Sequence, residues 1–155
     1  MPKEFTSFKA LISAIKTDVA GLKVAFPAAM ADIAHKIETD AKDKIGTYQA
    51  ASGPFKAWAP LAQSTIDRKD SALPLIVDGT MRDSITSEHG PNWALIGVKA
   101  GIPSSGKAEI GDIAAYQEFG TDHIPPRPFL GPALHENHDF IIERLGLEVV
   151  RRLKE

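Results

Sequence analysis

The chain contains no cysteine among its 155 residues. A disulfide framework, a thiolate metal site and a cysteine nucleophile are thereby excluded, and the composition suits a reducing cytosol. An excess of charge is also missing. Lys plus Arg number 18 against 20 Asp plus Glu, and the net charge of -2 draws the protein onto neither nucleic acid nor an anionic membrane. No stretch approaches the roughly 18 consecutive apolar residues that a spanning helix requires. The opening Met1-Pro2-Lys3-Glu4-Phe5 lacks a basic region followed by an apolar core, which predicts a soluble chain without an export signal. A mass of 16.7 kDa with 43% hydrophobic and 25% charged residues predicts one globular domain over 1–155.

Glycine and proline are scarce in both flanks. Nine of the eleven prolines and nine of the twelve glycines fall between Gly53 and Pro132. This division predicts a helical region over 1–51, a strand- and turn-rich middle over 53–132 and a C-terminal helix over 133–155. Phe8, Ile12, Ile15, Val19, Leu22 and Phe26 recur at steps of three and four, the spacing of one helical stripe. Thr6 and Ser7 are candidate caps. Met30, Ile33, Ile37, Ala41, Ile45 and Tyr48 continue the stripe beyond Pro27, whose ring removes a backbone donor and predicts a kink or a split near Ala25. The simplest reading is a core-facing helix. Its many alanines equally suit packing across a small sheet or against a neighbouring subunit.

In the middle, Trp93–Val98 reads as a strand paired with Ser84–His89 across a turn at Gly90-Pro91-Asn92. Lys99–Asp112 is polar and rich in glycine and proline, and predicts a mobile loop or an extended hairpin tip. Ile113–Phe119 reads as a short helix closed by Gly120 in the left-handed region. Leu134, Ile141, Leu145, Val149 and Leu153 mark the terminal amphipathic helix, with Arg151, Arg152 and Lys154 set against its dipole. The expected fold is α+β, with a long N-terminal helix and the C-terminal helix packed on a small, mainly antiparallel sheet.

Two clusters carry potential chemistry. His135 and His138, three apart on a helix, would share a face and reach one ion, but a zincin needs a spacing of four with a glutamate between. Glu118, Asp122 and His123 bring an acid and an imidazole into one turn region. No nucleophile elbow, P-loop or dinucleotide fingerprint accompanies them. The expectation is therefore no enzyme, no resident metal and no cofactor. The alternative is a small metal-dependent hydrolase using His135 and His138.

Three segments occur in a telling order. The first, Phe55–Lys69, leads from the aromatic anchor Trp58 through Pro60 and Leu61 into a short helix containing Ile66. The second, Pro74–Ile85, holds Gly79 and Arg82 in a turn, a helical turn and a strand. The third runs from Ala114 through Tyr116, Glu118 and Gly120 to Arg127-Pro128-Phe129-Leu130. Together they resemble the tailed-bacteriophage virion morphogenesis family of tail-completion and head-tail joining proteins, over about Phe55 to Ile141. The resemblance marks Trp58, Leu61, Ile66, Gly79, Arg82, Tyr116, Glu118, Gly120, Arg127, Pro128 and Phe129 as the family's positions, none of them catalytic. Ala62 stands where a capping serine is usual, and Met81 where leucine is usual.

The resemblance implies a structural protein of the neck or upper tail, assembled in the host cytoplasm and carried in the virion. Its copies would form a homo-hexameric ring that meets tail terminator, tail tube or head-tail connector proteins. It implies no membrane and no specific nucleic-acid contact, with genome DNA free to pass through the ring. Three prolines around Arg127 preorganise a contact segment, and the guanidinium is expected to pair with a carboxylate such as Glu118. Trp58 and Phe129 are expected to anchor the core.

Overall fold

The computed structural model describes residues 7–101 and 108–154. Residues 102–107 of the expected mobile loop lie outside the described residues. Helix α1 spans Phe8–Lys44, followed by α2 (Gln63–Lys69), α3 (Thr80–Asp83), strands β1 (Ile85–His89) and β2 (Ala94–Val98), and helices α4 (Ile110–Phe119), α5 (Leu130–Glu136) and α6 (His138–Lys154). This is the α+β arrangement that the sequence predicts.

Ser7 caps α1, its Oγ accepting the Ala10 N–H at 3.1 Å. The helix runs unbroken through Pro27. The donor lost at Pro27 costs about 3 kcal/mol, and the packing that offsets it begins two residues later. Ala29, Ile33, Ala34, Ile37 and Ala41 are all buried, and β1 and β2 lie against the helix. The two strands form an antiparallel hairpin in which Ile85 faces Val98 and His89 faces Ala94. The Gly90 N–H donates to the Trp93 carbonyl at 2.8 Å and closes the turn. Helix α6 lies along α1, tied by Arg144, which reaches Asp32 at 2.9 Å and Glu148 at 2.6 Å.

Three expectations are corrected. The N-terminal half of α1 is not core-facing: every buried residue of the helix lies from Ala29 onward, whereas Phe8, Ile12, Ile15 and Val19 are exposed. The terminal helix is two helices divided at Asn137, whose buried amide donates to the Ala133 carbonyl at 2.8 Å and to Asp40 at 2.6 Å. A side chain that bonds the backbone locally competes with helix continuation. Helix α4 begins at Ile110, three residues before the predicted start, and takes in the end of the supposed loop.

The core gathers Ile33, Ile37 and Ile45 of the α1 region with Trp58, Ile85, Ala114 and Phe129. Phe129 and Ile85 are wholly enclosed. The extended segment before α5 therefore lies at the centre of the packing.

Candidate functional site

The segment 125–131 is held at four points. Trp58 Nε1 donates to the Pro128 carbonyl at 3.0 Å. The Arg127 N–H donates to the Gln117 carbonyl at 2.6 Å. The Arg127 side chain, almost fully buried, donates through Nε to the Ala59 carbonyl and through Nη2 to the Pro60 carbonyl, each at 3.1 Å. Glu118 accepts the N–H groups of Phe129, Leu130 and Gly131 at 2.7, 3.0 and 2.7 Å. Helix α5 has no capping side chain of its own at Phe129, so a carboxylate from α4 fills that place, where the helix dipole favours negative charge.

Trp58, Glu118, Gly120, Arg127, Pro128 and Phe129 thus converge on one hub although they are up to 71 positions apart in the chain. Gly120 has φ +76 and ψ 175, and a Cβ there would stand 2.9 Å from the Ile124 carbonyl oxygen. The expected Arg127–Glu118 pair does not form. Glu118 is spent on three backbone donors and Arg127 on two carbonyls, since both ends of the extended segment expose main-chain groups that must be satisfied on burial.

The remaining positions that the resemblance marks lie elsewhere. Leu61 and Ile66 are half-buried around α2, and Gly79 turns at φ +82 ahead of α3. Arg82 is exposed beside Asp83, and Tyr116 is largely exposed on α4. Ala62 stands at the start of α2 and makes no side-chain cap bond. Met81 packs against the core.

The two clusters considered for chemistry do not assemble. His135 lies on α5 with its ring edge-on to Phe55, centroids 6.1 Å apart, whereas His138 opens α6 and pairs with Asp139 at 3.2 Å. The helix break at Asn137 removes the shared face that the sequence spacing suggests. No group of three metal-ligating side chains occurs among the described residues. Of Glu118, Asp122 and His123, the first caps α5 while the other two are exposed in the turn that follows α4.

Beside the hub opens a groove of about 870 Å³, walled by α2, the segment 75–79, α4 and the segment 123–127. Its floor is apolar, with Leu61, Leu75, Met81, Ile110 and Ile113. Arg68, Lys69 and Arg127 line it as cations. Lys69 donates to the carbonyls of Leu73 and, at 3.0 Å, of Ile76. Burial pushes the Lys69 ammonium below its ordinary value, and the nearby Arg127 guanidinium pushes it the same way. Burial likewise lowers Arg127. Sequence reasoning missed Lys69 and the groove itself. Asp70 and Leu75 both have positive φ on the way from α2 to residues 75–79, and leucine does not advertise such a turn.

Comparison of the chain with protein families, with curated proteins and with solved structures finds no match.

Proposed function

We propose that the protein is a structural component of a tailed-phage or prophage virion, acting at the neck or upper tail as a subunit of an oligomeric ring. The observation that carries an assembly role is the outer half of α1. The 37-residue helix extends about 55 Å, and its first turns present a stripe with Phe8 77%, Ile12 38%, Ile15 52% and Val19 48% exposed. A contiguous apolar stripe of this kind marks a surface that a protein partner covers. A heterologous contact repeated around an axis closes into a ring when its rotation divides a full turn. The ordered segments from Trp58 to Phe129 supply the phage assignment by resemblance, and the hub they form is structural, in keeping with a family whose positions are not catalytic.

Light scattering across a concentration series tests this reading. The expected species is a ring of about six copies, seen also by negative-stain imaging, and Ile15→Glu with Val19→Glu should return it to the 16.7 kDa protomer. A chain that stays at that mass throughout, and retains no tail terminator, tail tube or connector protein in a pull-down, overturns the reading.

A further inference from the structure

The groove beside the hub carries more positive than negative charge in its described lining. Three cations, Arg68, Lys69 and Arg127, line it against Asp78 as the one lining carboxylate among the described residues. Arg127 and Lys69 are held by main-chain carbonyls. Carbonyl oxygens satisfy N–H groups but leave the net charge in place. No carboxylate of the described residues lies within ion-pairing distance of either cation. A partly buried charge in this condition favours any occupant that brings the opposite sign.

We propose that this groove is the docking site for an extended segment of a different protein, one in which an acidic residue adjoins an apolar one. The carboxylate would meet the Arg68–Lys69–Arg127 wall, and the apolar side chain would cover Ile110, Ile113 and Leu61. A simple inorganic anion would satisfy the first need and leave the apolar floor exposed to water.

The chain's own segments outside the described residues match poorly. Ile102–Lys107 contains a lysine and no acid, in Met1–Thr6 Lys3 stands beside Glu4 and cancels it, and Glu155 follows Lys154. The proposed occupant is a heterologous segment. The inference rests on the assembly reading only in taking that occupant to be a protein, and its test is read on the isolated chain whether or not a ring forms.

Random heptapeptide display against the full chain tests it, repeated on Arg68→Glu, which reverses an exposed cation, and on Ala62→Trp, which places an indole in the groove. Circular dichroism establishes that both variants are folded. The expected consensus pairs Asp or Glu with Leu, Ile or Phe, and a synthetic consensus peptide should bind Arg68→Glu about tenfold more weakly and Ala62→Trp weakly or not at all. A consensus without an acid, an absence of enrichment, or binding to both variants as tight as to the unsubstituted chain overturns the proposal. Displacement of the consensus peptide by a synthetic peptide of residues 1–8 overturns it as well, by assigning the groove to a second copy of this chain.

Discussion

The carboxylate of Glu118 on α4 holds the first turn of α5, its Oε1 lying 2.7 Å from the backbone nitrogen of Gly131. With the bonds to Phe129 and Leu130, one side chain satisfies three of the donors that a helix start leaves open. It is also the tie between α4 and the segment that delivers the enclosed Phe129 to the core. Glu118→Ala should therefore lower stability by about 2–3 kcal/mol in urea denaturation, more than an ordinary cap loss of about 1 kcal/mol. Glu118→Gln, which keeps an acceptor but not the charge, should lose less. Equal losses for the two variants would show that charge contributes nothing there.

Trp58 and Pro128 make a second tie. Proline has no N–H, so its carbonyl is its only backbone hydrogen-bonding group, and the indole N–H meets it at 3.0 Å in a buried position. Trp58→Phe keeps much of the ring packing but strands that carbonyl, and should cost about 2 kcal/mol. An unchanged urea midpoint would mean that water replaces the indole.

Two glycines should respond to alanine in opposite directions. Gly120 has the backbone conformation that glycine alone adopts without strain, and a Cβ would press on the Ile124 carbonyl oxygen and on Pro126. Gly120→Ala should destabilise by about 2–4 kcal/mol. Gly146 lies inside α6 with no heavy atom within 4 Å of an added Cβ, so Gly146→Ala should stabilise by about 0.5–1 kcal/mol through helix propensity. Thermal midpoints of the two variants check both signs.

Acid should loosen the attachment of α1. Glu38 is held below the ordinary glutamate value of 4.5 by its bond to Lys42 and then by that to Ser87 of β1. Burial raises Asp40, but the bonds from Lys36 and from Asn137 at the α5–α6 junction outweigh it and hold Asp40 below 3.8. Glu136 is lowered chiefly by Lys44, at 2.6 Å. Because each carboxyl is more acidic folded than unfolded, its contribution is complete above the unfolded value and disappears as pH falls through the folded one. Urea midpoints should be level between about pH 7 and about pH 5 on this account and fall progressively below about pH 4.5. A midpoint that stays level to about pH 2.5 would show that these pairs contribute no net stability.

The amino-acid sequence by itself determined the elements whose physics is local. The spacing of apolar residues from Phe8 called for a long helix, although the same spacing runs on to Tyr48, past the end of α1 at Lys44, and left a split at Pro27 open. Gly90-Pro91-Asn92 between two short β-prone runs called for the hairpin, and the short polar side chains of Thr6 and Ser7 for a cap at the start of α1, which Ser7 supplies. What periodicity does not contain is which stretch of a stripe finds a partner. Phe8 to Val19 and Ile33 to Ile45 have the same spacing, yet only the second is buried, because the sheet and Phe129 lie against that half alone. Asn137 ended a helix that its neighbours' spacing would continue, through bonds to Ala133 nearby and to Asp40 some 97 positions away. Likewise Glu118 and Arg127 were recognisable as positions of interest, but their partners were set by which main-chain groups burial left unsatisfied. Those groups belong to segments distant in the chain, and only tertiary packing, which removes water from them, decides which side chain must answer.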